Sequence, residues 1–389
     1  MEIRDLLRLF EDIYGRADEE VRCFYSSGRV NLIGEHTDYN GGYVFPAAVN
    51  VGTTVLIRKR KNRTIRLYAT DLKELVEADI ENIDKYRQIR WGNYQLGVIK
   101  ELLQAGYNVG GADMLFYDTV PHGAGLSSSA AIECATCIAV YSIFNEKPID
   151  RVELSLICQR AENRFVGVNC GIMDQFASSL GKKDHAIFLN TRTMEYKYVP
   201  LKLGDYKIVV SNTNKKRSLA DSKYNERRAE CEKGLKILQE KLSISCLGEL
   251  SREEFEKYKY LIEDETVLKR VRHVVYEDDR VLKSIEVLEK GDLASFGKLM
   301  IESHISLRDD YEVTGFELDT LFEEALKIDG VIGSRMTGAG FGGCTVSIVH
   351  KDAIDEFTKM VGENYHKKTS LKPEFYVFDI DDGTREIKI

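Results

Sequence analysis

Residues 112–144 constrain the fold of this 389-residue chain more than any other stretch. Residues 112–117 (ADMLFY) read as a strand, and Pro121-His122-Gly123-Ala124-Gly125-Leu126-Ser127-Ser128-Ser129-Ala130-Ala131 then opens an apolar run to about Phe144. The pattern predicts strand, glycine–serine turn and long helix, the helix starting near Ser127. Glycines let a backbone approach a ligand closely, and the first N–H groups of a helix are unpaired. Their dipole, about half a positive charge, favours a phosphate there. Three serines add hydroxyls for phosphate oxygens or Mg²⁺. The loop lacks the Gly-Lys-Ser/Thr of a Walker A motif, and Ser128 stands where a dinucleotide fingerprint needs its third glycine. A serine-rich helix cap without a ligand is the plainer alternative.

A second stretch, Gly28-Arg29-Val30-Asn31-Leu32-Ile33-Gly34-Glu35-His36-Thr37-Asp38-Tyr39-Asn40-Gly41-Gly42, mixes charged and apolar residues unlike a surface loop or a structural strand. Acids accept hydrogen bonds from adjacent hydroxyls while His and backbone amides donate, which suits a polyol clamp. A metal site or a plain turn remain open, although His36 and Asp38 lack the i, i+4 spacing of a helical zinc site. A third stretch, Gly338-Ala339-Gly340-Phe341-Gly342-Gly343, spells GxGxxG, but a strand pattern (CTVSIV) follows where a dinucleotide site needs a helix. A glycine turn beside the phosphate loop, or a structural hairpin, fits. Glu162 falls in a helical pattern, and Asp174 in Cys170-Gly171-Ile172-Met173-Asp174-Gln175-Phe176 at a helix start, where an acid is ordinary.

Composition places the chain among globular proteins, with 43% hydrophobic and 30% charged residues. Lys plus Arg of 55 against Asp plus Glu of 63 gives −8, a poor match to nucleic acid or an anionic membrane surface. No apolar run reaches the ~20 residues of a bilayer span, and the start has no secretory h-region. A cytoplasmic protein is expected. The eight scattered cysteines read as reduced thiols, Cys134-x-x-Cys137 included, since both lie in an apolar helix pattern.

Strands are expected at 53–59 and 64–69 as neighbours, and at 185–189, 206–212, 344–349 and 374–379. Helices are expected at 92–105, 151–166, 172–180, 218–241, 266–289, 292–307, 316–328 and 351–362. The order is mixed α and β without strict alternation, which disfavours a doubly wound parallel sheet. Two domains are expected, residues 1–204 and 205–389.

Together these stretches resemble the galactokinase family, within the small-molecule kinase superfamily that includes homoserine and mevalonate kinases. GRVNLIGEHTDYN is similar to the family's sugar signature, GAGLSSSAA to the superfamily phosphate loop and SRMTGAGFGGC to its third motif, while CGIMDQF and SLADSKYNERR also match. The resemblance implies an α+β fold of two mixed α/β domains, N-terminal ribosomal-protein-like and C-terminal ferredoxin-like, with the active site in the cleft between them. It implies ATP-dependent phosphorylation of α-D-galactose at the C1 hydroxyl, giving galactose 1-phosphate and ADP, the first committed step of galactose catabolism, with Mg²⁺ required. Galactose and MgATP are the expected partners, without nucleic acid or membrane, and the chain is expected to be a monomer.

Carried over by position, Asp174 is the general base beside the C1 hydroxyl, and Arg29 keeps it ionised and counters phosphoryl charge. Glu35, His36, Asp38, Gly171 and Tyr224 hold the sugar. Gly123, Ala124, Gly125, Leu126, Ser127, Ser128 and Ser129 wrap the nucleotide phosphates, with Ser129 and Glu162 as Mg²⁺ ligands. Trp91 and Leu126 wall the adenine, although Trp91 reads equally well as core. Two departures stand out: Ser26-Ser27 replaces a common Ala-Pro and is expected to loosen the approach to Arg29, and Ala339 replaces a common glycine, which requires a negative φ. Two other readings stay open: a kinase for N-acetylgalactosamine or another galactose-like sugar, and a non-catalytic galactose/ATP sensor. Sensors of that kind lack the Ser-Ala pair present here as Ser129-Ala130.

Overall fold

The computed structural model describes residues 1–89, 91–121, 123–215 and 220–389. His122 of the glycine–serine stretch, and Ser218 and Leu219 at the expected start of a helix, lie outside them. The chain runs through α1 (Ile3–Tyr14), β1 (Val21–Asn31), β2 (Tyr43–Val44), β3 (Pro46–Lys59), β4 (Thr64–Ala69), β5 (Glu74–Asp79), α2 (Asn93–Gln104) and β6 (Ala112–Asp118). Next come α3 (Ser128–Phe144), α4 (Arg151–Ala161), α5 (Met173–Leu180), β7 (His185–Asn190), β8 (Tyr196–Pro200) and β9 (Tyr206–Asn212). The rest holds α6 (Ala220–Leu238), α7 (Arg252–Tyr258), α8 (Glu265–Glu289), α9 (Leu293–Asp309), α10 (Phe316–Ala325), β10 (Val331–Thr337), β11 (Cys344–His350), α11 (Ile354–Thr369), β12 (Glu374–Phe378) and β13 (Arg385–Ile387).

The N-terminal sheet has the order β13-β1-β3-β6-β4-β5. The expected pairing of 53–59 with 64–69 is therefore corrected, because β6 lies between them, antiparallel to β3 and parallel to β4. Alternation reports that a segment is a strand but carries no record of its neighbour. A parallel pair needs a crossover, which α2 supplies here. One face of the sheet packs on α2, α3 and α4 through Val55, Ile57, Leu67, Met114, Leu96, Ile99 and Leu154. Cys134 and Cys137 of the largely buried α3 are fully buried in this core with Cys158. The opposite face is covered by Leu6 and Phe10 of α1.

The C-terminal sheet, β10-β11-β9-β12, is antiparallel throughout, with a small β2-β7-β8 sheet beside it. Phe357 and Val361 of α11 and Leu321 of α10 pack with Val209 and Val349. A central cluster joins Val30, Leu32 and Val49 to Leu126, Ile208, Val346 and Phe296, so the two halves share apolar packing. The chain end returns to the first sheet, where β13 pairs antiparallel with β1. The fold is mixed α and β, as the element order implies.

The expected helix over 151–166 is regular only to Ala161, after which Glu162–Val166 forms a π-turn. Such turns widen a helix and are frequent at functional sites. Among the described residues no helix is long and apolar enough to cross a membrane.

Candidate active site

The site is built where β1 ends against the start of α3. Gly28 sits at a bulge in β1, and a Cβ there would lie 2.7 Å from the Leu126 carbonyl oxygen. That close approach lets the Arg29 amide donate to the Leu126 carbonyl at 3.0 Å, locking strand to loop. The Arg29 side chain, almost fully buried, then donates through Nη1 to the Gly125 carbonyl (2.6 Å) and through Nε to Asp174 Oδ1 (2.7 Å). Asp174 comes from the first turn of α5 and does not act as a helix cap. Its second oxygen, Oδ2, accepts from Ser127 Oγ at 2.5 Å. A guanidinium, a carboxylate and the phosphate loop are thus assembled from three separate chain segments.

Ser127 adopts a left-handed conformation with φ of +55° and makes no side-chain cap on α3. Its hydroxyl serves Asp174 instead, so among the described residues Ser127 caps none of the first amides of α3. The serine-cap alternative therefore fails at its own residue. Ser128 Oγ donates to Asp118 Oδ2 at 2.6 Å, anchoring the helix start to the end of β6. Gly123 and Gly125 have φ of +75° and +67°. The third motif abuts this loop: the Cys344 thiol approaches the Gly123 carbonyl at 3.7 Å. Ala339 is not among the residues of positive φ, whereas its neighbour Phe341 has φ of +56°.

Glu162 lies at the junction of α4 and the π-turn and is buried. Gln175 Nε2 donates to its Oε2 (2.6 Å) and also to Oε2 of buried Glu133 (3.0 Å). Burial and the charge of Asp174 push the Glu162 carboxyl up to about 7, against the pull of Cys170, Ser129 and Gln175. Among the described residues no group of three His, Cys, Asp or Glu side chains is arranged to hold a metal ion. Ser129 with Glu162 offers two hard oxygen donors, which suits an ion that keeps water and phosphate oxygens for the rest of its shell.

Beyond Arg29 the second stretch gathers its polar side chains into a buried cluster. Glu35 Oε2 accepts from Arg335 Nη2 at 2.9 Å, both side chains being buried. Burial pushes the Glu35 carboxyl above the ordinary range while Arg335 and Arg29 draw it down. His36 has φ of +63°, its Nδ1 is 2.8 Å from the Tyr39 hydroxyl, and burial lowers its pKa to about 3, so it is neutral. Its Nε2 is buried with no formed hydrogen bond among the described residues, the Ala339 backbone lying nearby. An orphaned nitrogen of this kind fits a ligand hydroxyl. Asp38 is raised to about 6, by burial first and then by Asp174 and Glu35. Gly171 presses on it so closely that a Cβ would lie 2.1 Å from Asp38 Oδ2. The Tyr224 ring lies tilted at 5.7 Å from His36 and edge-on at 5.2 Å from Tyr39.

The galactokinase galactose-binding signature matches residues 8–59, the GHMP kinases N terminal domain residues 93–182 and the GHMP kinases C terminal domain residues 284–367. A galactokinase of Clostridium tetani is 53% identical over 387 residues, covering 100% of this chain and 98% of that one. The chain belongs to the galactokinase family. A family member from Enterococcus faecalis is 49% identical over 98% of this chain and 99% of its own length. The crystal structure of Lactococcus lactis galactokinase complexed with galactose superposes with a TM-score of 0.94 at 45% identity, covering 99% of this chain and 100% of that one. The Methanococcus jannaschii mevalonate kinase, at 19% identity and TM-score 0.66 over 94% of this chain and 100% of its own, shares the fold.

Within this galactokinase-family framework the expected residues fall into two groups. Arg29, Asp174, Ser127 and Gly125 are in direct contact, and Glu35, His36, Asp38, Gly171 and Tyr224 gather along the second stretch. Of the two residues expected to wall the adenine, Trp91 is half-buried against the N-terminal core and Leu126 is buried in the central cluster. The Ser26-Ser27 departure does not loosen Arg29. Ser26 Oγ pairs with Thr384 Oγ1 (2.8 Å) and Ser27 Oγ donates to the Asp382 carbonyl (2.7 Å), tying β1 to the chain end. Arg335 lies in the SRMTGAGFGGC stretch but took no role in the sequence reading, because an arginine in a short strand carries no local signal of burial.

Proposed function

We propose that the chain transfers the terminal phosphoryl group of ATP to the C1 hydroxyl of α-D-galactose, releasing galactose 1-phosphate and ADP. The observation that carries this reading is the Arg29–Asp174 pair set against the Gly125 carbonyl of the phosphate loop. Asp174 takes the C1 hydroxyl proton as that oxygen bonds to phosphorus, and the bond from phosphorus to the bridging oxygen of ADP breaks. Arg29 holds Asp174 in place and offsets charge gathering on the phosphoryl oxygens. Ser127 fixes the other carboxylate oxygen, leaving few orientations open to it.

Glu35, Asp38 and neutral His36 hold the remaining sugar hydroxyls, with Gly171 and Tyr224 shaping the pocket. An acceptor placed for an axial 4-hydroxyl is left unpaired by glucose, which sets the epimer preference. The backbone of Gly123, Ala124, Gly125, Leu126, Ser127, Ser128 and Ser129 cradles the phosphates, with Trp91 towards the adenine. Ser129 and Glu162 would hold Mg²⁺, which when bound neutralises phosphate charge. Residues 1–204 supply the reacting groups in this scheme, and residues 205–389 supply Tyr224 and the buried charges behind Glu35.

A coupled ADP-release assay on purified protein tests the reading, with galactose, N-acetylgalactosamine and galactosamine run side by side. Galactose should exceed both amino sugars in kcat/KM by ~10-fold or more. Galactose binding without ADP release would point to a sensor. A preference for N-acetylgalactosamine would reassign the substrate.

A further inference from the structure

Glu35 is held from the C-terminal half at three different atoms. Its amide donates to Glu277 Oε1 at 3.2 Å, and the Gly34 amide donates to the same oxygen at 2.9 Å. Its carbonyl lies 3.1 Å from His273 Nε2, and its carboxylate meets Arg335. His273, Glu277 and Arg335 are each completely buried. They are in turn fixed by others: Ser303 Oγ donates to Glu277 Oε1 (2.6 Å), Arg280 Nε donates to Glu277 Oε2 (2.7 Å), and Arg335 Nε donates to Ser303 Oγ (3.2 Å). His273 Nδ1 faces Ser306 Oγ at 2.9 Å. A carbonyl on one side and a hydroxyl on the other assign the proton to Nε2, so a neutral ring donates to Glu35 and accepts from Ser306.

The residue after this clamp is His36, whose positive φ is unfavourable for a residue with a Cβ and persists only where surroundings enforce it. Fixing both the amide and the carbonyl of Glu35 fixes the peptide that leads into His36. The direction of His36 Nε2, and the lone pairs left on Glu35, are therefore set from α8, α9 and β10. We propose that His273 and Glu277 are positioning residues for the sugar pocket, acting through Glu35 and His36 without touching the sugar. This rests on the reading that galactose occupies that pocket.

The pair His273→Leu and His273→Gln tests it in the full-length chain. Leucine keeps bulk and removes the donor, while the glutamine amide restores one. With His273→Leu the galactose KM should rise about 5-fold or more while the ATP KM stays within about 2-fold, because the phosphate loop is untouched. His273→Gln should recover most of that loss. Should His273→Leu fail to fold, Ser303→Ala, which removes one donor to Glu277, should give a smaller rise confined to galactose. The proposal is overturned if galactose KM is unchanged in the folded variants, if both KM values rise together, or if glutamine is no better than leucine. Wild-type protein that fails to phosphorylate galactose in the same assay would instead remove the substrate assignment.

Discussion

The two glycine-bearing loops of the site differ in what surrounds their glycines. In the sugar loop the space is filled by protein: a Cβ on Gly34 would lie 2.6 Å from the Tyr43 carbonyl oxygen, and one on Gly42 2.5 Å from both carboxylate oxygens of Asp278. In the phosphate loop the nearest atoms to such a Cβ are 3.8 Å away, Asn212 Nδ2 at Gly123 and Cys344 Sγ at Gly125. The first loop is glycine-rich so that the protein can pack onto it, with buried carboxyl groups of α8 pressed against its backbone. The second is glycine-rich so that its backbone can turn and present amides to a ligand. Under the proposed function, the sugar side of the site is packed into the fold and the phosphate side keeps open space around its glycines.

The largest effect that can break this contrast is Gly42→Ala. A methyl group driven into a buried carboxylate should cost about 3 kcal/mol or more and leave little folded protein. A thermal midpoint within a few degrees of wild type would mean that the sugar loop is slack.

Glu162→Gln sharpens the contrast from the other side. Turnover with MgATP should fall by ~10²-fold while the ligand-free protein becomes more stable at pH 8. The sign follows from the raised carboxyl: its folded value of about 7 exceeds the ordinary 4.5. The folded state therefore holds the extra proton between these values, and the stability this provides is lost as pH rises through about 7. Melting curves of wild type and variant from pH 5 to pH 8 should diverge as pH rises, and parallel curves would contradict the assignment.

Gly125→Ala should be milder. The added methyl group meets no close neighbour, but φ of +67° costs about 1–2 kcal/mol for alanine. The midpoint should drop a few degrees and the ATP KM should rise with galactose affinity intact. Equal loss of both substrates would show that the two loops are not separable. Ser27→Ala should have the smallest effect. Removing one hydroxyl to the chain end costs about 1 kcal/mol, and kcat should fall less than about 2-fold. A larger drop in kcat would make the chain-end tether part of catalysis.

Much of the site was legible because its chemistry is concentrated in short runs. Gly28 to Asp38 brings Arg29, Glu35, His36 and Asp38 into eleven positions, and the strand–turn–helix around Gly123 points to a phosphate loop through its pattern of glycines and serines. The partners of those runs were not legible. His273 reaches Glu35 across 238 positions and Arg335 across 300, and nothing local to α8 or β10 reports which way those side chains face. Strand β10 was passed over for the same reason, since VIGSRMT spends buried positions on Ser334 and Arg335 and so lacks an apolar alternation. Strand β13 has three residues, too short for any periodicity, and β8 is mostly exposed on an edge. The neighbour of β3 escaped because pairing order is settled by crossovers, not by strand pattern.

The central claim is that Asp174, gripped by Arg29 and Ser127, receives the sugar proton next to the phosphate loop. Asp174→Asn tests it most directly, with kcat from ADP release and galactose affinity from calorimetry on the same preparation. The account predicts a fall in kcat of ~10²–10⁴-fold with galactose affinity changed by less than about 5-fold. A variant that keeps more than about a tenth of wild-type kcat would contradict it, since general-base loss of that kind costs far more.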